Sequence, residues 1–337
     1  MRPRLHNFLG CPTGGWAVGE EENVLRIGLL NNMPDAALEC AERQFGNLLS
    51  AAAPNLNIRW YLFTLRSIPR TTEGNLHLLR QYYGGMMDLF RTPLDAIVVT
   101  GTEPQQPDLR QEPYWSDLAM LFDWVDQERV PALFSCLAAH AAVLHYSGIP
   151  RQRLPQKRLG LFEHAAVARH PLTASMTAPV RVAHSRWNEL PVEALGEEGY
   201  RILTYAPEAG ADLFVPRNRD DLLFHQGHPE YDADTLAREY RRDVKRFLAG
   251  CADSYPDCPK NYFGAGEHEA LGRFREKAMH ERDERLMDFF PQLTPGRNQQ
   301  PPPMASLMAS WLERIDRRKA ERPGVVSARR SELAHAL

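Results

Sequence analysis

The sequence predicts an α/β fold in which a mostly parallel sheet carries helices on both of its faces. Short apolar runs of strand length alternate four times with helix-length segments before residue 150. Polar or glycine-containing loops follow the apolar runs, as they do at the carboxyl ends of parallel strands, where functional groups gather. The alternation and the loops together favour βαβ units.

The first half of the chain supports this prediction element by element. Strands are predicted at residues 24–30, 57–65, 95–101 and 132–135. Helices are predicted after Pro34, near residues 75–85, over residues 114–128 and directly after Cys136. Pro34 and the acidic Asp35 suit the first turn of a helix.

The second half is less regular. The segments "LGLFEHAAVARH" and "VRVAHSRWNEL" resemble strands, and a helix is predicted from about Asp232. A charged helical stretch at 265–300, a Pro-rich linker and a final helix at 304–321 follow. We therefore expect a lead-in at residues 1–22, an α/β domain at 23–264 and a C-terminal helical extension at 265–337.

The composition is that of an ordinary soluble globular protein. The 337 residues are 43% hydrophobic and 25% charged, and the formal net charge is −3. This charge gives no reason to expect nucleic acid or a membrane as a partner, and no apolar run is long enough to span a bilayer. No secretory signal is recognisable, so a cytoplasmic location is expected. The five cysteines match no common zinc pattern, so no metal site is expected.

Cys136 lies at the junction between the fourth predicted strand and the helix that follows it. One interpretation is a small buried hydrophobic residue. The other is a nucleophile on a sharp turn, with its sulfur at a helix N-terminus. The carboxyl edge of the sheet favours the second interpretation. The backbone N–H of Leu137 and one from the loop of residues 31–33, which ends at Met33, would then form an oxyanion hole.

A cysteine nucleophile needs a base, and the base needs an orienting group. The segment "FHQGHPEYD" at 224–232 follows a predicted strand and contains His228 and Glu230. In an extended segment, residues two apart project to the same face, so Glu230 can orient His228. The alternative is a surface loop in which Glu230 caps the next helix.

A family resemblance is carried by seven segments in a fixed order: "IGLLNNMP", "IVVTGTEP", "YWSDLAMLFDWV", "FSCLAAHAAVLHYSGIP", "HSRW", "GHPEYDADTLAREYRRDV" and "NYF". Over roughly residues 24–263 the chain resembles the homoserine O-acyltransferases of methionine biosynthesis, of the homoserine O-succinyltransferase type. The resemblance implies a flavodoxin-like sheet, similar to that of class I glutamine amidotransferases. It also implies small-molecule substrates, no bound cofactor and a homodimer.

The resemblance further implies ping-pong acyl transfer. Cys136 would take the acyl group from acyl-CoA, either succinyl-CoA or acetyl-CoA, as a thioester. His228, supported by Glu230, would then deprotonate the homoserine hydroxyl.

Three further positions match substrate-contacting residues of the family. Arg242 matches the arginine that binds the amino-acid carboxylate, and a guanidinium fork suits a carboxylate. Lys157 and Ser185 match two other contacts. For Arg242 and Lys157 the alternative is a solvated surface, because other basic residues lie beside both in the sequence.

The sequence departs from the family pattern at three places. Asp35 and Ala36 stand where the family has lysines, and Gln105 stands where it has glycine for succinyl or glutamate for acetyl transfer. Residues 265–300 are interpreted as an insertion. These departures leave three alternatives open: a paralogue that acylates another amino alcohol such as serine, an amidotransferase-like cysteine hydrolase, and a relative without catalytic activity.

Overall fold

The computed structural model of the chain describes residues 6–7, 24–293 and 304–321. The strands are β1 His6–Asn7, β2 Val24–Leu30, β3 Asn57–Phe63, β4 Ala96–Val99, β5 Ala132–Ser135, β6 Gln152–Ala166, β7 Val180–Glu189, β8 Tyr200–Ile202, β9 Thr204–Ala206, β10 Gly210–Ala211, β11 Leu213–Pro216 and β12 Leu222–His225. The α-helices are α1 Leu38–Ala52, α2 Thr72–Arg80, α3 Met86–Arg91, α4 Trp115–Gln127, α5 Leu137–Ser147, α6 Val192–Glu197, α7 Thr235–Leu248, α8 Ala265–His280 and α9 Ala305–Glu321. Short 3-10 helices span Asp35–Ala37, Leu109–Gln111, Pro171–Thr173 and Glu284–Phe289.

Within the described residues, a central sheet has the strand order β1-β3-β2-β4-β5-β12-β11-β8. Neighbouring strands from β1 to β12 are parallel, and β11 is antiparallel to both β12 and β8. Strands β4 and β5 are buried at every residue, as expected for parallel strands covered on both faces. The predicted mostly parallel α/β fold is confirmed.

Helices cover both faces of the central sheet. On one face α4 and α5 pack against the strands, and Phe122 meets Phe134 edge-on. On the other face α1 and α9 contribute Phe45 and Trp311 to a second core. Trp311 is only 1% exposed, so α9 completes a layer of the fold. The domain boundary expected at residue 264 therefore separates segments that share a hydrophobic core.

A smaller antiparallel sheet has the order β10-β9-β6-β7. Strand β6 begins at Gln152, well before the apolar segment at Leu159 from which it was predicted, because pairing with β7 extends it. Ala183 of β7 forms an isolated bridge with His228. The smaller sheet thus holds the segment that follows β12.

Helix α8 and the 3-10 helix at Glu284–Phe289 pack on the outer side of α7. Tyr240 of α7 belongs to the same core as Phe274 and Phe290, whose rings meet edge-on. The charged stretch that was interpreted as an insertion therefore supports the helix that carries Arg242.

The expected lead-in is represented by His6 and Asn7, which pair with Arg59 and Trp60 as an edge strand. The rest of the lead-in, most of the Pro-rich linker and the tail after residue 321 lie outside the described residues. Among the helices of the described residues, none has the length and apolar character that a membrane span requires.

Candidate active site

Cys136 lies on the sharp turn between β5 and α5, at the carboxyl edge of the central sheet. Its φ of 52° and ψ of −112° are strained for a residue with a side chain, and such strain costs on the order of 1–3 kcal/mol. The Cys136 N–H donates to the His225 carbonyl (2.8 Å), and the His140 N–H donates to the Cys136 carbonyl (3.2 Å). These bonds hold a partly exposed thiol at the N-terminus of α5, beside the positive end of the helix dipole.

His228 follows β12 and faces Cys136. The His228 Nδ1 lies 2.9 Å from Glu230 Oε1, and its side chain lies close enough to that of Cys136 for the two groups to interact. Because Nδ1 contacts Glu230, Nε2 is the ring nitrogen that can face the Cys136 sulfur. The structure thus brings Cys136, His228 and Glu230 together, with the Glu230 carboxylate next to Nδ1 of the ring.

The backbone around His228 allows little displacement. The His228 N–H donates to the Ala183 carbonyl at 2.8 Å. A Cβ on Gly227 would lie 2.7 Å from Val182 Cγ1 and 2.9 Å from both the Ala183 carbonyl oxygen and His184 Cε1. Only glycine fits at this position, so β7 fixes the place of His228.

The charged form of His228 is favoured by its neighbours. Burial alone would lower the pKa of His228, but the charges of Cys136 and Glu230, and hydrogen bonds with both side chains, raise it well above its ordinary value. The Tyr231 ring stacks on the imidazole, with centroids 4.1 Å apart. The site therefore favours the imidazolium form of His228.

The two N–H groups expected in the oxyanion hole, those of Leu137 and Met33, differ in their surroundings. The Leu137 N–H lies at the start of α5, and a Cβ on Gly101 would approach it to 3.1 Å. The Met33 N–H already donates to Asn31 Oδ1 at 3.2 Å. The backbone of Gly101, just after β4, therefore lies beside the Leu137 N–H, whereas the Met33 N–H is bound to Asn31.

Arg242 and Lys157 meet at one carboxylate. Lys157 Nζ lies 2.7 Å from Asp243 Oδ2, and Arg242 Nε donates to Asp243 Oδ1 at 2.9 Å. Burial raises the pKa of Asp243, but the two cations lower it below its ordinary value. The Lys157 side chain is 14% exposed and that of Arg242 is 42% exposed. Arg242 therefore retains an accessible guanidinium, whereas Lys157 is mostly buried in an ion pair.

Ser185 lies on β7 opposite Leu159 of β6, two residues after Ala183. Because side chains alternate along a strand, Ser185 and Ala183 project to the same face. The Ala183 carbonyl binds the N–H of His228, so Ser185 lies two residues along β7 from the residue that holds His228.

Gln105 belongs to the loop after β4. The buried carboxylate of Glu112 accepts hydrogen bonds from the N–H groups of Gln105 and Gln106, both at 2.6 Å. Arg151 donates to the carbonyls of Gln106 (2.7 Å) and Pro107 (3.3 Å). Arg151 also lies close enough to Cys136 for their charges to interact. Sequence reasoning missed Arg151, because nothing in its local pattern distinguishes it from the nearby basic residues.

A cation does lie against the loop that contains Asp35 and Ala36. Asp35 accepts from the Thr71 N–H (2.8 Å) and hydroxyl (2.7 Å) and pairs with Arg70 (3.2 Å). The Arg70 side chain is 4% exposed and donates to the Met33 carbonyl. Asp35 therefore introduces no unpaired negative charge.

Glu239 is a second residue that the sequence pattern did not identify. Its Oε1 accepts a hydrogen bond from the Tyr231 hydroxyl at 2.8 Å. Its buried Oε2 has no hydrogen-bond partner among the described residues. Glu239 lies one turn before Arg242 on α7, so its carboxylate and the Arg242 guanidinium are neighbours. The carboxylate binds the hydroxyl of Tyr231, whose ring stacks on His228.

No group of three or more His, Cys, Asp or Glu side chains in the described part of the chain could hold a metal ion.

Comparison with known proteins identifies the family. The family model described as homoserine O-succinyltransferase matches residues 14–281. The chain belongs to the homoserine O-succinyltransferase family. This membership confirms the family, and the acyltransferase class, predicted from the sequence motifs.

Two relatives named homoserine O-succinyltransferase show how far the similarity extends. The protein from Methylorubrum extorquens is 52% identical over 239 residues, which are 71% of this chain and 70% of that protein. The protein from Rhodopseudomonas palustris is 44% identical over 270 residues, 80% of this chain and 81% of that protein. The homoserine O-succinyltransferase family match also extends through α8, to residue 281.

Among solved structures, a glutamine amidotransferase from Thermotoga maritima aligns with a TM-score of 0.46 and 12% identity. The alignment covers 87% of this chain and 98% of that one.

Proposed function

We propose that the chain transfers an acyl group from acyl-CoA to the hydroxyl of homoserine, through a thioester on Cys136. The observation that carries this proposal is the strained turn that presents Cys136 to His228, which Glu230 orients. The same three groups would also suit a hydrolase. Membership of the homoserine O-succinyltransferase family favours acyl transfer.

In the first half-reaction, the Cys136 thiolate attacks the thioester carbonyl carbon of acyl-CoA. The Leu137 N–H stabilises the developing oxyanion, helped by the positive end of α5. The carbon–sulfur bond to CoA then breaks, and the CoA thiolate takes the proton from His228 Nε2. The acyl group remains on Cys136 as a thioester.

In the second half-reaction, His228 acts as a base. Its Nε2 accepts the proton of the homoserine hydroxyl as that oxygen attacks the thioester carbon. The bond from the acyl carbon to the Cys136 sulfur breaks, which restores the thiolate beside a protonated His228. Glu230 keeps the ring in one orientation through both steps and offsets its positive charge.

The acceptor would be recognised through its two charged groups. The exposed part of the Arg242 guanidinium suits the carboxylate of an amino acid. The unpartnered Oε2 of Glu239 suits the ammonium group, because a buried carboxylate oxygen without a donor is costly. Both lie on one side of α7, beyond Tyr231 and His228.

The donor that the site favours is succinyl-CoA. Gln105 brings no negative charge to the loop after β4, so it does not repel a second carboxylate. Arg151 brings a positive charge between that loop and Cys136. A dicarboxylic acyl group on Cys136 would place its free carboxylate within reach of a cation. The relatives at 52% and 44% identity are both named as succinyltransferases.

The test is intact-protein mass spectrometry after the protein is mixed with succinyl-CoA or acetyl-CoA without an acceptor. We expect a succinyl adduct on Cys136 that disappears on addition of homoserine and persists with serine. Cys136→Ala should form no adduct, and Arg151→Met should form it slowly from succinyl-CoA while its reaction with acetyl-CoA changes little.

Each contrary result has a distinct meaning. An adduct that decays at the same rate with and without homoserine would indicate a hydrolase. Adduct formation from acetyl-CoA alone would overturn the donor assignment, and an adduct that maps to another residue would overturn the role of Cys136.

A further inference from the structure

Asp212 and His225 form a fully buried pair directly behind the catalytic segment. Asp212 Oδ2 lies 3.1 Å from His225 Nδ1, and both side chains are 0% exposed. Asp212 lies between β10 and β11, and His225 is the last residue of β12. The hydrogen bonds of the two side chains go to each other and to the Gly227 N–H, and the proposed reaction uses neither residue.

Backbone hydrogen bonds connect this pair to Cys136 and to the segment that carries His228. The second oxygen of Asp212, Oδ1, accepts a hydrogen bond from the Gly227 N–H at 2.7 Å. The Asp212 carbonyl accepts from the Gln226 N–H at 3.2 Å, and the His225 carbonyl accepts from the Cys136 N–H at 2.8 Å. The Asp212 carboxylate is therefore hydrogen-bonded to Gly227, which precedes His228, and to His225, whose carbonyl binds the Cys136 N–H.

Stability alone is a weak reason for such a pair. The desolvation cost of a buried ion pair commonly cancels its Coulombic attraction, and apolar residues of similar volume often serve equally well. A carboxylate offers two acceptor oxygens at a fixed angle, and here each oxygen meets a donor in the segment 225–227. A leucine or valine would fill the space without fixing that segment.

We propose that Asp212 is a positioning residue that holds residues 225–228 so that His228 Nε2 and the Cys136 sulfur remain in contact. The inference rests on the proposed function in one respect, that Cys136 and His228 act together. A purely structural role would lower stability without changing how Cys136 reacts at each pH.

The test measures the rate at which iodoacetamide alkylates Cys136 from pH 5.5 to 9, together with kcat, KM and the melting temperature. Among the described residues, His228 is faced by Cys136 before α5, by Glu230 and Tyr231 of its own segment, and by His184 of β7. Arg151 and Arg186 also lie close enough to Cys136 for their charges to interact with it. For Asp212→Asn we expect kcat to fall about 10- to 100-fold, as misplacement of a catalytic group does. KM should change little, and the alkylation profile should move to higher pH as the contact with His228 loosens.

Asp221→Asn is the matched control. Asp221 lies just before β12, at the opposite end of that strand, where it binds Arg219 (2.7 Å) and Arg318 (2.6 Å). This variant should lower the melting temperature and leave kcat and the alkylation profile as in the wild type. Asp212→Asn with the wild-type alkylation profile and kcat would overturn the proposal.

A second pair of variants keeps the proposal testable if Asp212→Asn does not fold. His225→Asn retains a donor near the position of Nδ1, whereas His225→Leu removes it. The asparagine should keep the wild-type alkylation profile and the leucine should shift it; equal profiles for the two would contradict the positioning role. If wild-type protein forms no acyl adduct but the profiles still shift, the proposed function fails and the positioning role stands.

Discussion

At the scale of single residues, the site depends on small groups at constrained positions. Cys136 tolerates a positive φ because its N–H and carbonyl are both hydrogen-bonded, and Gly227 is required because β7 leaves no room for a Cβ. The motif "GHPE" predicts the histidine and the glutamate. The glycine before them has a role that only the contact with Val182 and Ala183 explains.

The first residue-scale prediction concerns Gly227→Ala. The new methyl group would lie within 3 Å of β7 and push His228 away from Cys136, so kcat should fall about 10- to 100-fold. Steady-state assays with succinyl-CoA and homoserine measure this change.

Gly272→Ala in α8 is the control, since nothing lies within 4 Å of its Cβ. That control should gain about 0.5–1 kcal/mol of stability from helix propensity. Full activity in the Gly227 variant would show that the turn adapts.

The second residue-scale prediction is a pH dependence. The raised pKa of His228 means that its charged form stabilises the fold fully below the ordinary histidine pKa of about 6.5. That contribution is lost as the pH rises through the raised folded-state value. Wild-type Cys136 should therefore react with iodoacetamide at pH 6, where His228 is an imidazolium.

The variant His228→Asn has no cation at position 228 at any pH. Its Cys136 should therefore react at least about tenfold more slowly than wild-type Cys136 at pH 6, and the difference between the two rates should shrink as the pH rises. Peptide mass spectrometry follows the reaction. The exposed Cys251 serves as an internal reference in the same sample and should react equally in both proteins. Identical rates for Cys136 at pH 6 would contradict the thiolate–imidazolium pair.

At the scale of elements, local patterns predict the strands of the central sheet but not the partners of its helices. The apolar runs at 24–30 and 132–135 are the strands β2 and β5. The final helix was predicted from its own pattern as an extension. Its contact with α1 could not be predicted, because the apolar faces of both helices suit many partners.

The element-scale prediction follows from this packing. Trp311 is 1% exposed in the core between α9, α1 and the sheet, so Trp311→Ala should cost about 3–5 kcal/mol of unfolding free energy. Denaturant titration measures this loss. Glu313→Ala, at an exposed position of the same helix, should change stability by less than about 0.5 kcal/mol. Equal stability of the two variants would mean that α9 does not cover the sheet in solution.

At the scale of the whole molecule, the site is assembled from strand ends that are distant in the sequence. The order of β4, β5 and β12 places Gly101, Cys136 and His228 at one edge, which the alternation of strands and helices predicts. Asp212 and Arg70 could not be predicted in the same way, because their partners lie in other elements and no local spacing marks them. The roles of Arg242, Lys157 and Ser185 stay predictions, since the structure gives their positions and not their substrates.

The division of the reaction into two halves gives the last prediction. Arg242 lies on α7 with Glu239, whereas the groups that form the thioester lie on α5 and after β12. Arg242→Gln should therefore leave the burst of CoA release from succinyl-CoA unchanged and raise the KM for homoserine at least about tenfold, the cost of a lost charge-assisted bond. Rapid-quench measurement of CoA separates the two steps. Lys245→Gln is the control, because this lysine of α7 pairs with Glu284 of the neighbouring 3-10 helix at 3.2 Å. A slower burst in the Arg242 variant, with an unchanged KM for homoserine, would assign Arg242 to the donor instead of the acceptor.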